Sequence, residues 1–162
     1  MKNKMKQNLS EAQVFTPPHI TNQMLDLLGE DCLKDHDTFF FEPTCGDGQM
    51  LIVIIERIYL ALLEKYEGDK IKALSETLFK FYATELDDSL VPIARHKVFN
   101  FFAKESAGLD SSEFIGSVIA WKLHESIECR DALKESIQSI HATPAVRALK
   151  RINNKNFHKE EV

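Results

Sequence analysis

The chain has 162 residues, of which 44% are hydrophobic and 28% charged, and a formal net charge of −5. This length suits one domain, and the composition excludes an intrinsically disordered protein. No apolar run approaches the length of a membrane span, and the lysine-rich start lacks the apolar core of a signal sequence. Three cysteines at unrelated spacings and six scattered histidines predict neither a disulfide framework nor a metal site, so we expect a cytoplasmic protein.

Charge is distributed unevenly along the chain. Residues 8–146 hold 12 Lys and Arg against 23 Asp and Glu, and the other basic residues lie near the two ends. An acidic body is repelled by phosphate backbones. We therefore expect the chain to bind DNA only weakly or through a partner.

The first predicted element is an amphipathic helix. Residues 1–13 form a flexible lead-in, after which Thr16 is suited to the N-cap and the two following prolines to the first turn. Gly29 is a suitable end for the helix. Four apolar residues recur at helical spacing and define the face expected to pack on the core, with Thr21, Gln23 and Asp26 on the other side: Ile20, Met24, Leu27 and Leu28.

A strand, a glycine turn and a second helix follow in direct succession. Residues 38–41 are a β-branched and aromatic run, which predicts a strand covered on both faces. Gly46 and Gly48 permit positive φ, and residues 49–66 predict a long helix whose N-terminus points at the turn. Such a unit is the ligand-binding corner of a doubly wound α/β fold.

The rest of the chain predicts two further strands, at residues 79–85 and 126–131. Helices are expected at residues 71–78, 87–104, 112–123 and 144–152, with Trp121 in the core. The fold class is α/β: a truncated Rossmann-like, three-layer fold with a short, mostly parallel sheet. It spans residues 14–135 and is followed by a helical, basic tail at residues 136–162.

Three acids end the three predicted strands: Glu42, Glu85 and Asp131. Because the carboxyl ends of parallel strands meet at one edge, we expect these carboxylates to share a ligand. An acid after the second strand suits the hydroxyls of a ribose, and one after the third suits an adenine amine. An acid before the glycine turn suits the ammonium of an amino acid. S-adenosylmethionine carries all three groups, although each acid taken singly is more simply a helix cap or a solvated loop residue.

Four segments carry a resemblance: Phe-Thr-Pro-Pro at residues 15–18, Phe-Glu-Pro-Thr-Cys-Gly-Asp-Gly-Gln-Met-Leu at 41–51, Glu-Leu-Asp at 85–87 and Cys-Arg-Asp-Ala-Leu at 129–133. In this order they resemble the donor-binding half of N6-adenine DNA methyltransferases of restriction–modification type. In that family the Thr-Pro turn contacts the methionine carboxylate and the glycine turn wraps the methionine and sugar. The acid after the second strand binds the ribose, and the Asp of the third binds the adenine amine. The resemblance therefore implies that S-adenosylmethionine is bound by these residues: Thr16, Glu42, Cys45, Gly46, Gly48, Glu85 and Asp131.

The chain departs from this family after Asp131. The family's Asn/Asp-Pro-Pro-Tyr/Phe motif, which holds the flipped target base, has no counterpart, because the only adjacent prolines are Pro17 and Pro18. No sequence remains for strands four to seven or for a DNA-recognition domain. The resemblance thus implies no catalytic residue in this chain, which leaves it inactive alone or one subunit of a split DNA methyltransferase.

Two other interpretations stay open. The chain is alternatively a non-catalytic decoy, inhibitor or cofactor-sequestering protein that acts on restriction–modification or a related system, or a truncated gene product that does little. A three-stranded sheet would also leave an open edge with unpaired backbone groups. We therefore expect a protein partner or self-association to cover that edge.

Overall fold

The computed structural model of the chain describes residues 16–109 and 112–132. In chain order, its elements are α1 (Pro18–Leu28), α2 (Glu30–Lys34), β1 (Phe40–Glu42), α3 (Gln49–Lys65), α4 (Lys70–Phe79), β2 (Phe81–Glu85), α5 (Val91–Glu105), α6 (Ser112–Ser126) and β3 (Ile127–Cys129). Each predicted helix and strand within these ranges is confirmed, with small changes in its bounds. The predicted helix at residues 144–152, the lead-in and the tail lie outside the described residues.

The three strands form one parallel sheet in the order β1-β2-β3. Phe40 pairs with Phe81 and Ala83 with Ile127, so β2 is the central strand. Residues 81–84 are all buried, as expected for a strand with neighbours on both sides. Residues 39–41 are only half-buried, and β1 has one neighbouring strand among the described residues. The α/β class and the short parallel sheet are confirmed, and the arrangement is compatible with a Rossmann-like fold. The prediction that the first strand is covered on both faces is wrong.

Helix α3 forms the centre of the core. It contacts α1, α2, α4 and α5, so apolar residues are buried on several of its sides. Its buried residues are Leu51, Val53, Ile54, Ile55, Ile58, Tyr59, Ala61 and Leu62. Neither α3 nor any other helix in the described part of the chain combines the length and the apolar character needed to cross a membrane.

Helix α1 packs with a side that includes Thr21, which was predicted to face outward, whereas Gln23 and Asp26 are exposed as predicted. Thr21 and Leu25 are its buried residues. Arg57 of α3 donates hydrogen bonds to the side-chain oxygen of Asn22 at 3.2 Å and to the carboxylate of Asp26 at 2.9 Å. These bonds hold the polar side of α1 near α3. The predicted core face is therefore wrong, and its four residues are exposed: Ile20, Met24, Leu27 and Leu28.

Helix α6 carries a buried cation. Lys122 is 1% exposed, and its ammonium lies 5.0 Å from the ring centroid of Phe79 with no hydrogen-bond partner in the described structure. Burial lowers the pKa of Lys122 to about 8, against a smaller opposing effect of Glu125. The adjacent Trp121 is 59% exposed, so its predicted place in the core is wrong. Successive helical residues point about 100° apart, and α6 is oriented with Lys122 and Leu123 inward.

Candidate ligand-binding site

The turn between β1 and α3 is held over the carboxyl end of β2. The N–H of Cys45 donates to the carbonyl of Thr84 at 2.9 Å. The hydroxyl of Thr84 donates to the carbonyl of Pro43 at 2.8 Å. Within the turn, the N–H of Gly48 donates to the carbonyl of Cys45 at 2.8 Å. Thr84 of the central strand therefore stabilises the turn through both its backbone carbonyl and its side-chain hydroxyl.

Two glycines of the turn adopt the left-handed conformation that the sequence predicted for them. The φ of Gly46 is 55° and that of Gly48 is 85°. Gly48 is also the N-cap of α3 and lies against α5, where an added Cβ would be 2.9 Å from the Cα of Ala94. Glycine is therefore needed at this position for its positive φ and for the close approach of α5.

Glu85, the last residue of β2, accepts three backbone hydrogen bonds. Its Oε2 accepts from the N–H of Gly46 at 2.7 Å, and its Oε1 accepts from those of Leu86 and Asp87 at 2.8 and 2.9 Å. A carboxylate offers roughly four acceptor positions, two on each oxygen. Glu85 thus joins the glycine turn to the sheet and keeps one acceptor position on Oε2 for a further donor.

Glu42, the last residue of β1, is buried. Its Oε1 accepts from the N–H of Thr44 at 3.1 Å and from the hydroxyl of the same residue at 3.4 Å. This is the local turn-stabilising contact that competes with a ligand-binding role for a single acid. A carboxylate so buried meets a ligand only at the floor of the site.

Strand β3 brings Asp131 to the same edge of the sheet. Its last residue, Cys129, pairs in register with Glu85, and the N–H of Arg130 donates to the carbonyl of Glu85 at 2.9 Å. Asp131 follows directly and is half-buried. The acids Glu42, Glu85 and Asp131 therefore lie at the carboxyl ends of three adjacent parallel strands, as the sequence predicted.

Thr16 stands apart from this network. The N-cap of α1 is Pro17, with no side-chain cap bond, so the predicted capping role of Thr16 is wrong. Helix α1 does pack on α3, the helix that begins at the glycine turn. Among the hydrogen bonds of the described residues, however, none joins Thr16 to that turn.

Cys45 is buried in the turn. Burial raises the pKa of its thiol to about 12, and the nearby carboxylates of Glu85 and Glu42 act in the same direction. Such a thiol is protonated at neutral pH and is not a nucleophile.

An ion pair beside the turn was missed in the sequence. Asp47 Oδ1 accepts from the N–H of Gln49 at 3.1 Å in the first turn of α3, and its Oδ2 contacts the ammonium of Lys97 on α5. An acid suits the positive end of a helix dipole, and the lysine compensates its charge. The position of Asp47 between two glycines was a usable signal. Lys97 lies 50 positions later in the chain and carried none.

The structure also contains an apolar cavity away from these residues. Residues of α4, α5 and α6 line an apolar cavity of about 200 Å³, which includes none of the predicted site residues. Within the described ranges, no group of three or more His, Cys, Asp or Glu is placed to hold a metal ion. The carboxyl edge of the sheet is therefore where polar groups suited to a ligand converge.

Comparisons with protein-family models, with curated proteins and with solved structures find no match for this chain. The fold and the site themselves define its class. It is an α/β protein with a glycine turn and three acids at the carboxyl edge of a short parallel sheet.

Proposed function

We propose that this chain binds S-adenosylmethionine at the carboxyl edge of its sheet and serves as the donor-binding subunit of a split N6-adenine DNA methyltransferase. One observation carries the proposal. The carboxylate of Glu85 is bonded to the N–H of Gly46, with Asp131 following the neighbouring strand at the same edge. This arrangement puts carboxylates suited to a ribose and to an adenine amine next to a turn that a ligand can approach closely.

The acceptor capacity of Glu85 limits how the ribose is held. Three of its roughly four acceptor positions are used by backbone N–H groups, so one ribose hydroxyl fits without any rearrangement. A second hydroxyl requires a backbone N–H, most directly that of Gly46, to share or release its bond. We therefore expect donor binding to lengthen the hydrogen bond between Glu85 and Gly46.

The other ligand groups have partners of suitable chemistry. In this proposal Asp131 accepts from the exocyclic amine of the adenine, and Glu42 from the ammonium of the methionine moiety. Gly46 and Gly48 leave room for the ligand beside the backbone. The resemblance adds Thr16, at the start of α1, for the methionine carboxylate.

The proposed division into two polypeptides rests on chemistry that this chain lacks. No Asn/Asp-Pro-Pro-Tyr/Phe motif is present, and the acidic body disfavours a broad contact with DNA. A partner that carries the motif and the DNA contacts would complete the enzyme. Recovery of such a protein with this chain as bait would support the split arrangement.

Calorimetry with S-adenosylmethionine and S-adenosylhomocysteine tests the donor-binding proposal. We expect one saturable site and a rise in melting temperature, whereas ATP, which lacks the amino-acid moiety, binds more weakly. Asp131→Ala should weaken binding, and Glu56→Ala is a matched control, because Glu56 is an exposed acid on α3 that does not follow any strand. The absence of both heat and thermal stabilisation would refute the proposal. Transfer of tritiated methyl groups to unmodified DNA by the isolated chain would refute the need for a partner.

A further inference from the structure

Helix α1 exposes a continuous apolar surface, which we name the α1 stripe. It consists of Ile20, Met24, Leu27 and Leu28, with exposed fractions of 38%, 48%, 89% and 57%. These are four of the nine large exposed hydrophobic residues in the described part of the chain, yet they lie on one helix of 11 residues. Single exposed apolar residues are ordinary, whereas contiguous ones mark interaction surfaces.

The α1 stripe is the uncovered part of a wider apolar face. At about 100° per residue, its four residues occupy a sector of roughly 100°, and the buried residues Thr21 and Leu25 occupy the adjoining sector. Helix α3 covers the second sector, where Leu25 is buried, and Arg57 of α3 bonds to Asn22 and Asp26 beyond it. A further element could therefore pack beside α3 along the same helix.

Two acids lie at the C-terminal end of the α1 stripe. Glu30 and Asp31 are exposed in the first turn of α2, directly after the last residue of the stripe. Lys34 pairs with Glu30 at 3.6 Å and with Glu64 at 3.0 Å, so one lysine is shared by two carboxylates. Asp26 is compensated by Arg57 at 2.9 Å. This end of the apolar strip therefore carries an excess of negative charge, at Glu30 and Asp31.

We propose that the α1 stripe binds an amphipathic helix of a partner protein, whose apolar face lies on α1 and whose lysines or arginines lie beside Glu30 and Asp31. Laying an amphipathic helix along an apolar surface is a common mode of peptide recognition, and complementary charge fixes the partner and its orientation. A second copy of this chain fits less well, because a two-fold contact would place the same acids against each other. An anionic membrane would be repelled for the same reason. The stripe contains none of the residues proposed to bind the donor, so peptide binding and donor binding are tested separately.

Two synthetic amphipathic helical peptides test the proposal. Both carry the same leucine face, one with lysines and the other with glutamates on the flanking positions. Binding to the full chain is measured by fluorescence anisotropy, for the wild type, for the double variant Met24→Gln/Leu27→Gln and for the control Leu60→Gln. Leu60 is 58% exposed on α3, so the control removes an exposed apolar residue elsewhere.

We expect the lysine peptide to bind the wild type and the control equally well. It should bind the double variant about tenfold more weakly, the equivalent of roughly two lost methylene contacts. The glutamate peptide should bind more weakly than the lysine peptide throughout. The substitutions alter only exposed side chains, and thermal melting of all three proteins verifies that they remain folded.

Three results would overturn the proposal: no binding of the lysine peptide, equal binding of the two peptides, or equal binding to the wild type and the double variant. Sedimentation of the free protein adds a fourth. A dimer that the double substitution dissociates would assign the α1 stripe to a second copy instead.

Discussion

Replacing Glu85 separates two functions that one carboxylate combines in this structure. The side chain holds the glycine turn through Gly46 and caps the next loop through Leu86 and Asp87. In the proposed function it also receives a ribose hydroxyl. A loss of donor affinity in a Glu85 variant would therefore prove nothing about the ribose unless the stability of the turn is measured as well.

The structural cost follows from the three hydrogen bonds. In Glu85→Gln the oxygen can serve one side of the former carboxylate, and the amide N–H₂ then faces a backbone donor, which leaves that donor unpaired. The free energy of unfolding should fall by about 1–3 kcal/mol. In Glu85→Ala all three N–H groups lose their acceptor, but Leu86 is exposed, so water replaces part of the loss. The fall should then be about 2–4 kcal/mol, which urea denaturation of each variant would measure.

A thermodynamic cycle that combines a change in the ligand with a change in Glu85 isolates the ribose contact. S-adenosylhomocysteine and its deoxyribose analogue are titrated into the wild type and into whichever Glu85 variant remains folded. Direct contact predicts that removing the hydroxyl weakens binding to the wild type by about 1 kcal/mol or more and leaves the variant's affinity unchanged. An equal loss in both proteins would refute the ribose contact. Unchanged stability of Glu85→Gln would refute the turn-holding function.

Two further predictions concern packing, one at Gly48 of the glycine turn and the other at the buried Lys122 of α6. Gly48→Ala should reduce the free energy of unfolding by about 2–4 kcal/mol, from positive φ and overlap with Ala94 together. Gly68 has a φ of 89° and open space around the position of an added Cβ, so Gly68→Ala should reduce the free energy of unfolding by only about 1–2 kcal/mol. Equal losses for the two variants in urea denaturation would contradict the packing argument. Lys122→Met should raise the stability at neutral pH by about 1–3 kcal/mol, because burial opposes the charged ammonium. The wild type itself should gain stability as pH rises from about 8 toward 10.5, because in this range Lys122 keeps its proton only in the unfolded chain. The gain from Lys122→Met should therefore shrink over the same range. A gain that does not shrink would refute the lowered pKa of Lys122.

Local chemistry accounts for what the sequence alone made predictable. Helical periodicity marked α3, and Gly29 marked a helix end, because the residue itself sets these preferences. The left-handed Gly46 and Gly48 follow in the same way from glycine's lack of a Cβ. Acids at strand ends were predictable because parallel strands share a carboxyl edge.

Contacts between distant parts of the chain decided the rest. The half-burial of the first strand depends on which elements pack on its two faces, and the residues at positions 38–41 do not encode this. The rotation of α1 depends on Arg57, 35 positions beyond Asn22. An apolar periodicity predicts that one face will be covered, but not which neighbour covers it or how much of it remains free. For the same reason Trp121 was assigned to the core and Lys122 was not.

The amino-acid sequence by itself determined the order of the elements, the glycine turn and the three acids at the strand ends, since each depends on residues close together in the chain. Only the tertiary structure decided that Glu85 is bonded to Gly46, 39 positions away. It also decided that the apolar face of α1 is left partly uncovered. Both depend on how separate elements meet, which the hydrophobic pattern of a single element does not specify.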